Sequence, residues 1–244
     1  LLLHPQKFTQ EGNRVAAGYA GVWTGNLYTI QLETTGSAVN NFMTILGAYV
    51  LSPRDLYIRR IANLLIVFTM FFSGGLVPTY LTVKELGLID SRLALILPVA
   101  INTWNLIILR TSIEGLPQSL VESARIDGAN DAIILFRIVI PLVKATIAVL
   151  VLYYAVGHWN SWVNAMLYIK DREKYPLQLI LREILIENTS NAATQSVGNL
   201  SEIDQYKQLV KYCTTMIATA PILCIYPFLQ KYFVKGVMIG AVKG

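Results

Sequence analysis

Long runs of residues without a single charged side chain dominate this chain of 244 residues. There are five such runs, over residues 34–53, 61–83, 93–109, 145–169 and 212–230. Because the apolar core of a bilayer is about 30 Å thick, a helix of about 20 mostly apolar residues is needed to cross it. Each of the five runs is long enough, or nearly long enough, to form a helix that crosses a bilayer. The pattern predicts an all-α, polytopic transmembrane helical bundle with five spans visible in this sequence.

The first run is the most polar of the five. Asn40 and Asn41 lie inside it, and Glu33 directly precedes it. Polar side chains at membrane depth usually face other helices or a cavity rather than lipid. We therefore predict a span that begins upstream, near Asn26, and packs against other helices.

The composition excludes several classes of protein. Hydrophobic residues make up 54% of the chain and charged residues 14%, against about a quarter in an ordinary soluble domain. A soluble enzyme, a disordered chain or a nucleic-acid binder needs more polar surface than this sequence provides. Membrane proteins carry basic residues at their cytoplasmic ends, which accounts for the net charge of +5, so no nucleic-acid partner is expected.

Basic residues in the short connections predict how the chain is oriented. Arg54, Arg59 and Arg60 lie between the first two runs, and lysines follow the last one. Both regions are expected in the cytoplasm, which places residues 111–136 inside the cell and residues 170–211 outside. Residues 1–25 then form an extracytoplasmic segment ahead of a transmembrane domain over residues 26–244. Since a chain does not normally begin outside without an earlier span, a sixth helix is expected upstream.

The cytoplasmic connection contains the most informative segment, residues 115–130. Pro117 suits the first turn of a helix and Gly128 its C-terminal stop, which predicts about three helical turns, too few to cross a bilayer. Glu122 and Arg125 are spaced to pair on one face. The predicted apolar stripe consists of Leu116, Leu120 and Ala124. Such a helix fits either a groove in a cytoplasmic partner or an ordinary connector lying on the membrane.

The same segment resembles a known family. Residues 122–129, followed by Phe136, Ile138 and residues 140–142, closely resemble the EAA loop of binding-protein-dependent ABC importer permeases. Further similarity to carbohydrate-uptake permeases of the LplC/YtcP type lies in residues 69–80, 87–90, 157–162, 175–178 and 233–244. The chain departs from the family pattern at Ser123, at Ile140 and at Ala145, where alanine, leucine and proline are usual.

The resemblance implies a type I ABC importer permease in the bacterial inner (plasma) membrane, crossing it several times. Its partners would be a second permease subunit, two ATPase subunits, an extracytoplasmic solute-binding protein, an oligosaccharide and membrane lipid. The subunit itself would be no enzyme and would hold no cofactor, because ATP and Mg would be bound by the ATPase subunits. Independently, the sequence contains no Gly-Lys pair and hence no Walker A loop.

The family pattern also implies which residues couple the permease to its ATPase. The coupling residues would be Glu122, Ser123, Ala124, Arg125, Asp127, Gly128 and Ala129. Glu122 would orient the loop, Ala124 would allow close approach, and Asp127 with Gly128 would shape the exit turn.

Two groups of residues are candidates for the path of the solute: first Asn102, Trp104 and Asn105, and second His158, Trp159 and Asn160. Amide donors beside aromatic faces suit sugar rings, but helix-to-helix hydrogen bonding is the more ordinary role of a single buried asparagine. An interfacial aromatic belt is likewise the more ordinary role of the tryptophans. His158 has no nearby histidine in the sequence, so a metal site is not expected.

Two other functions remain open at this level. A secondary transporter driven by an ion gradient would need acidic groups buried in its spans, and only Glu33 comes close. An assembly subunit without a transport path would use the asparagines and the Glu122 loop for packing alone. On the outer side, residues 176–187 suggest an amphipathic helix, and residues 170–211 with Gly74, Gly75 and residues 84–90 are the expected dock for the binding protein.

Overall fold

The structure is a computed structural model that describes residues 20–53, residues 59–183 and single positions between 186 and 223. Within the two continuous ranges the regular structure is helical, without strands. The helices are α1 (Ala20–Leu51), α2 (Arg59–Phe71), α3 (Leu76–Glu85), α4 (Leu93–Val99), α5 (Thr103–Glu114), α6 (Gln118–Ile126), α7 (Asp131–Leu142), α8 (Lys144–Trp159), α9 (Trp162–Tyr168) and α10 (residues 177–183). The last turn of α4 is 3₁₀, and α7 contains a π-helical turn over Leu135–Val139.

The chain divides into two compact units. The described part of the larger unit comprises residues 32–53 and 59–158, and that of the smaller unit comprises residues 20–31 and 159–183, with the single positions beyond.

Helices α1 and α8 pair in antiparallel fashion within the larger unit, along what we call the α1–α8 seam. At one end Asn40 lies 3.0 Å from the ring of His158, and one turn along, the Thr44 hydroxyl lies 2.7 Å from that of Tyr154. A further turn along each helix brings Ala48 and Leu150 into one apolar cluster, both fully buried. The polar residues of the first predicted span therefore face other helices, as predicted.

The apolar core of this unit gathers side chains from five helices, α1 and α5–α8. Its buried members are Ala48, Leu106, Leu109, Ile113, Ala124, Ile134, Leu135, Val139, Val143 and Leu150. Because Ala124 belongs to α6, the short helix of the connection predicted to be cytoplasmic is anchored in the same core as the long helices.

Sharp bends interrupt two of the predicted spans, residues 61–83 and 93–109, each of which was predicted to be a single helix, and a third bend directly precedes the span predicted over residues 145–169. The axes turn by 111° between α2 and α3, by 53° between α4 and α5, and by 83° between α7 and α8. At the first bend Gly75 has a φ of 87°, which favours glycine, and in α4 Pro98 removes a backbone donor. Among the described residues no helix alone has the length and apolarity to cross a membrane, whereas each bent pair meets that requirement together.

The predicted span over residues 145–169 is also divided, so its prediction as one helix was wrong. Helix α8 ends at Trp159 and α9 begins at Trp162, with Asn160 and Ser161 between them. Both residues compete for backbone hydrogen bonds and favour helix ends. Most of the fifth predicted span, residues 212–230, lies outside the described residues.

In the smaller unit, the first part of α1 packs against the residues around α10. The Thr29 hydroxyl accepts a hydrogen bond from the backbone N–H of Leu177 at 2.8 Å and donates to the carbonyl of Gly25 at 2.7 Å. A side chain at Gly25 would lie only 3.2 Å from the Tyr175 carbonyl, so glycine allows this close approach. Leu177, Leu179, Ile180 and Leu181 are all buried. In its described part the predicted amphipathic helix is thus more enclosed than an amphipathic pattern implies.

Candidate functional site

Helix α6 is a short helix closed by a glycine turn, as the sequence predicted. It begins at Gln118 after Pro117, and Gly128 has a φ of 83°. The Ala129 N–H donates to the Ala124 carbonyl at 2.9 Å and the Gly128 N–H to the Arg125 carbonyl at 3.0 Å. These two bonds form a Schellman motif, which satisfies carbonyls that the helix end leaves without intrahelical donors.

The two faces of α6 differ in a way that the sequence predicted only in part. Ala124 is buried and Val121 packs against the same core, whereas Leu120 is 41% exposed. The predicted stripe through Leu120 was therefore wrong, because the helix begins after Pro117 and Leu116 reaches the core from the preceding loop.

Most of the candidate coupling residues lie on the exposed side of α6, whereas Ala124 is buried. Glu122, Ser123, Arg125 and Asp127 are all exposed. The Ser123 hydroxyl donates to the Ser119 carbonyl of its own helix at 2.7 Å, so the hydroxyl that departs from the expected alanine has a partner.

Ile126 also lies on the outward face, and it was absent from the predicted site. It is 85% exposed, which is unusual for an isoleucine held in an ordered helix. Its position two residues after Ala124 was the available signal, since a helix places such a residue on another face. Together, Glu122, Ile126 and Asp127 present a mixed apolar and acidic surface.

The exit from α6 is tied to α1 through Asp131. The Arg125 guanidinium lies 3.3 Å from the Asp131 carboxylate, and the Tyr49 hydroxyl donates to the same carboxylate oxygen at 3.2 Å. The predicted partner of Arg125 was Glu122; the structure pairs Arg125 with Asp131 instead. The turn at Gly128 reverses the chain and so brings Asp131 back beside α6.

The chain leading into α6 is tied to α2 through Glu114. One carboxylate oxygen of Glu114 accepts from Arg59 at 2.7 Å and from Arg110 at 2.8 Å. Arg110 also contacts the side-chain amide oxygen of Asn63. Glu114 is the last residue of α5, so this ion-pair network fixes the point at which the chain leaves α5 towards α6.

A cavity of about 130 Å³ opens between these two ties. The charged side chains in its lining are those of Glu114, Glu122 and Arg125. Tyr49 and Val121 contribute to its wall. Glu122 therefore borders this cavity as well as being exposed on α6.

The first group of predicted path residues lies where α5 begins. Asn102 is the N-cap of α5, and its side-chain oxygen accepts from the Asn105 N–H at 3.1 Å. Asn105 is buried, whereas Trp104 is exposed. The structure brings the two asparagines together through helix capping, a role that their spacing of three residues could have indicated.

The second group of predicted path residues is divided between the two units, so each member is described separately. His158 is buried in the larger unit and hydrogen bonds to Asn40. Trp159, in the smaller unit, is only 2% exposed, and Asn160 is exposed. A buried indole does not fit the interfacial belt that was the alternative explanation for Trp159.

Comparisons with known proteins agree on one family. The family described as binding-protein-dependent transport system inner membrane component matches residues 19–239. The chain is 43% identical over 247 residues to the polygalacturonan/rhamnogalacturonan transport system permease protein YtcP of Bacillus subtilis, covering 100% of this chain and 85% of that protein. It is 45% identical over 216 residues to Protein LplC of the same organism, covering 88% of this chain and 72% of that protein.

A solved structure has the same fold. It is the crystal structure of a bacterial ABC transporter involved in the import of the acidic polysaccharide alginate. The TM-score is 0.84 at 30% sequence identity, and the match covers 96% of this chain and 82% of that chain.

Proposed function

The chain belongs to the binding-protein-dependent transport system inner membrane components, and from this premise we propose that it forms half of the translocation path of an ATP-driven oligosaccharide importer. The resemblance to ABC importer permeases noted in the sequence is confirmed, as is the all-α permease fold. Such a subunit is a component of a membrane transport system. We propose that it is not itself an enzyme.

The observation that carries the proposal is the construction of α6. Its inner face is anchored in the core through Ala124, and its end is closed by the turn at Gly128. Its outer face presents Glu122, Ile126 and Asp127 to a partner. A short rigid helix with one buried and one free face can receive a push from a docked protein and pass it to the helices behind it.

The two ties of α6 supply the route for that push. Upstream, Glu114 joins α5 to Arg59 of α2, and downstream, Asp131 joins α7 to Tyr49 of α1. A displacement of α6 would therefore act on several long helices at once. We propose that closure of an ATPase dimer moves α6 and that these ties distribute the movement, which produces alternating access.

The proposed partners are a second permease subunit, two ATPase subunits that bind ATP and Mg, and an extracytoplasmic solute-binding protein. The proposed setting is the bacterial inner (plasma) membrane, crossed several times. Residues 170–211, with Gly74, Gly75 and residues 84–90, remain the proposed dock for the binding protein, although most of residues 184–211 lies outside the described residues. The coupling role is assigned to the exposed residues of α6 and to the turn at Gly128.

The proposed cargo is an oligosaccharide that contains uronic acids. Two similar proteins support this class, since one is named for polygalacturonan and rhamnogalacturonan and the other for the import of alginate, an acidic polysaccharide. Among the candidate path residues, Trp104 and Asn160 are exposed, whereas the side-chain oxygen of Asn102 is engaged in capping α5.

Affinity purification of the subunit from its native membrane tests the proposal. We expect an ATPase with a Walker A loop to co-purify, and its turnover to rise when the solute-binding protein is added with an oligogalacturonide or an alginate oligosaccharide. A well-folded subunit that brings no ATPase with it under several mild detergents would contradict the importer assignment. Stimulation by neutral oligosaccharides alone would contradict only the acidic cargo.

A further inference from the structure

The hydroxyl of Tyr154 joins three helices in the interior of the larger unit. Tyr154 belongs to α8 and is buried. Its hydroxyl accepts a hydrogen bond from the backbone N–H of Asn102 at 3.0 Å and lies 2.7 Å from the hydroxyl of Thr44 in α1. The Thr44 hydroxyl in turn lies 2.7 Å from the carbonyl of Asn40. These four groups form a chain of three hydrogen bonds, which we call the Tyr154 relay.

Counting protons fixes the direction of the relay. A carbonyl only accepts, so the single proton of the Thr44 hydroxyl goes to Asn40. Tyr154 must then donate its own proton to Thr44, and its oxygen is left to accept from Asn102. Each bond in such a chain polarises the next, so the relay depends on all of its members.

The relay ends at a mechanically important position. Asn102 is the residue where the bent pair of α4 and α5 resumes as a helix after a turn of 53°. A backbone N–H at the start of a helix has no intrahelical partner, and here Tyr154 supplies one. The other end of α5 is Glu114, where the segment leading to α6 begins. Helix α5 is thus bonded to Tyr154 at its first end, and its last residue begins the connection to α6, which we propose moves when the ATPase closes.

We propose that Tyr154 is a positioning residue of the transport cycle, whose hydroxyl fixes the start of α5 against α1. With this hydroxyl in place, a displacement of α6 moves α5 together with the interior of the bundle. Without it, part of the displacement is absorbed as further bending between α4 and α5. The inference rests on the proposed function and adds a residue that contacts neither the ATPase-facing surface nor the exposed candidate sugar contacts.

The test compares transport with ATP hydrolysis in the intact complex reconstituted into liposomes. The probe is an oligogalacturonide, or an alginate oligosaccharide if the first does not stimulate the wild-type complex. For Tyr154→Phe we expect the amount of sugar transported per ATP hydrolysed to fall about tenfold, a factor typical of losing a buried hydrogen bond. ATP hydrolysis itself should persist, because Tyr154 lies away from the outward face of α6.

Matched variants separate this role from simple stability. Tyr153→Phe removes the neighbouring hydroxyl, which belongs to a residue that is 43% exposed, and should leave the ratio unchanged. Thr44→Val should reproduce the loss because it leaves the Tyr154 proton without an acceptor, and Thr44→Ser should restore the ratio. The pair of Thr44 variants also carries the test if Tyr154→Phe fails to assemble.

The possible failures are distinguishable. If the wild-type complex transports sugar and Tyr154→Phe keeps the wild-type ratio, the positioning role is refuted and the proposed function stands. A lower melting temperature with an unchanged ratio refutes it equally, because that is the signature of packing alone. If the wild-type complex transports neither sugar, the acidic cargo fails and the same comparison is made with a neutral oligosaccharide; if that is not transported either, the importer function fails and this inference falls with it.

Discussion

The turn after α6 offers the sharpest test of the coupling role that we propose for this helix. Gly128 has a φ of 83°, and no atom lies within 4 Å of where an added Cβ would be. Gly128→Ala therefore introduces no clash and changes only the backbone preference. Holding an L-residue in this left-handed conformation costs about 1–2 kcal/mol. That cost reduces the population of the closed turn by about 5–30-fold relative to its alternatives.

Gly115 provides a matched control in the same connection. Its φ is −76°, an ordinary helical value, and an added Cβ would lie 3.5 Å from its nearest neighbour, the Ser112 carbonyl. We expect Gly115→Ala to behave as the wild type. Gly128→Asn should be milder than Gly128→Ala, because asparagine tolerates the left-handed region better than alanine.

The assay is ATP hydrolysis by the purified complex with and without the loaded solute-binding protein, with size-exclusion chromatography to verify assembly. We expect Gly128→Ala to leave assembly intact and to reduce the stimulation by the binding protein. If Gly115→Ala and Gly128→Ala lowered stimulation equally, or if Gly128→Asn were as damaging as alanine, backbone conformation would not be the cause and the reasoning would be refuted.

Three further predictions concern single side chains of the larger unit. Ile126→Ser should weaken capture of the ATPase about tenfold or more in a pull-down, since burying an isoleucine contributes about 1.5–3 kcal/mol, without changing the melting temperature. Glu114→Gln should lower the free energy of unfolding by about 1 kcal/mol in a denaturation series, because Arg59 and Arg110 lose the negatively charged partner that they share. Gly36→Ala would place a Cβ 2.7 Å from the ring nitrogen Nε2 of His158 and should lower that free energy by about 1–3 kcal/mol.

Each of these has a control in the chain. Leu120→Ser removes a less exposed apolar side chain of α6 and should weaken ATPase capture less than Ile126→Ser does. Glu183→Gln alters an ion pair with the exposed Arg172 and should have no measurable effect on unfolding, so an equal loss there would count against the Glu114 network. In Gly157→Ala the added Cβ would meet no atom within 4 Å, so the free energy of unfolding should stay at the wild-type value. If Gly36→Ala also left the free energy of unfolding unchanged, the ring of His158 would have to move aside at no cost, which would contradict the prediction.

Local features of the sequence were sufficient to predict helix α6. Pro117 and Gly128 mark its two ends because each acts through its own backbone, without help from distant residues. The composition of the apolar runs likewise predicted a helical membrane protein. The polar character of the first run correctly indicated burial of Asn40 and Asn41 against other helices.

What could not be predicted depends on contacts between distant parts of the chain. The partner of Arg125 is decided by the return of Asp131 after the turn, and two oppositely charged residues on one helix gave a plausible alternative. The pairing of Thr44 with Tyr154 spans 110 residues and follows from how α1 and α8 meet. The capping role of Asn102 could have been predicted from its spacing to Asn105. The bend before Asn102 could not, because the surrounding run of uncharged residues indicated one continuous helix.

The α1–α8 seam carries its polar pairs at one end and its apolar pair at the other, which makes the work of parting the two helices uneven. At the polar end, water can replace the Asn40 to His158 bond, and Ser37 and Asn41 each keep a buried side-chain oxygen that has no partner among the described residues. At the other end, Ala48 and Leu150 would lose contacts for which water gives nothing in return. Hydration therefore favours separation of α1 and α8 at the end beside His158, with the helices remaining in contact at Leu150. The two helices would part by a hinge-like rotation rather than by sliding along each other.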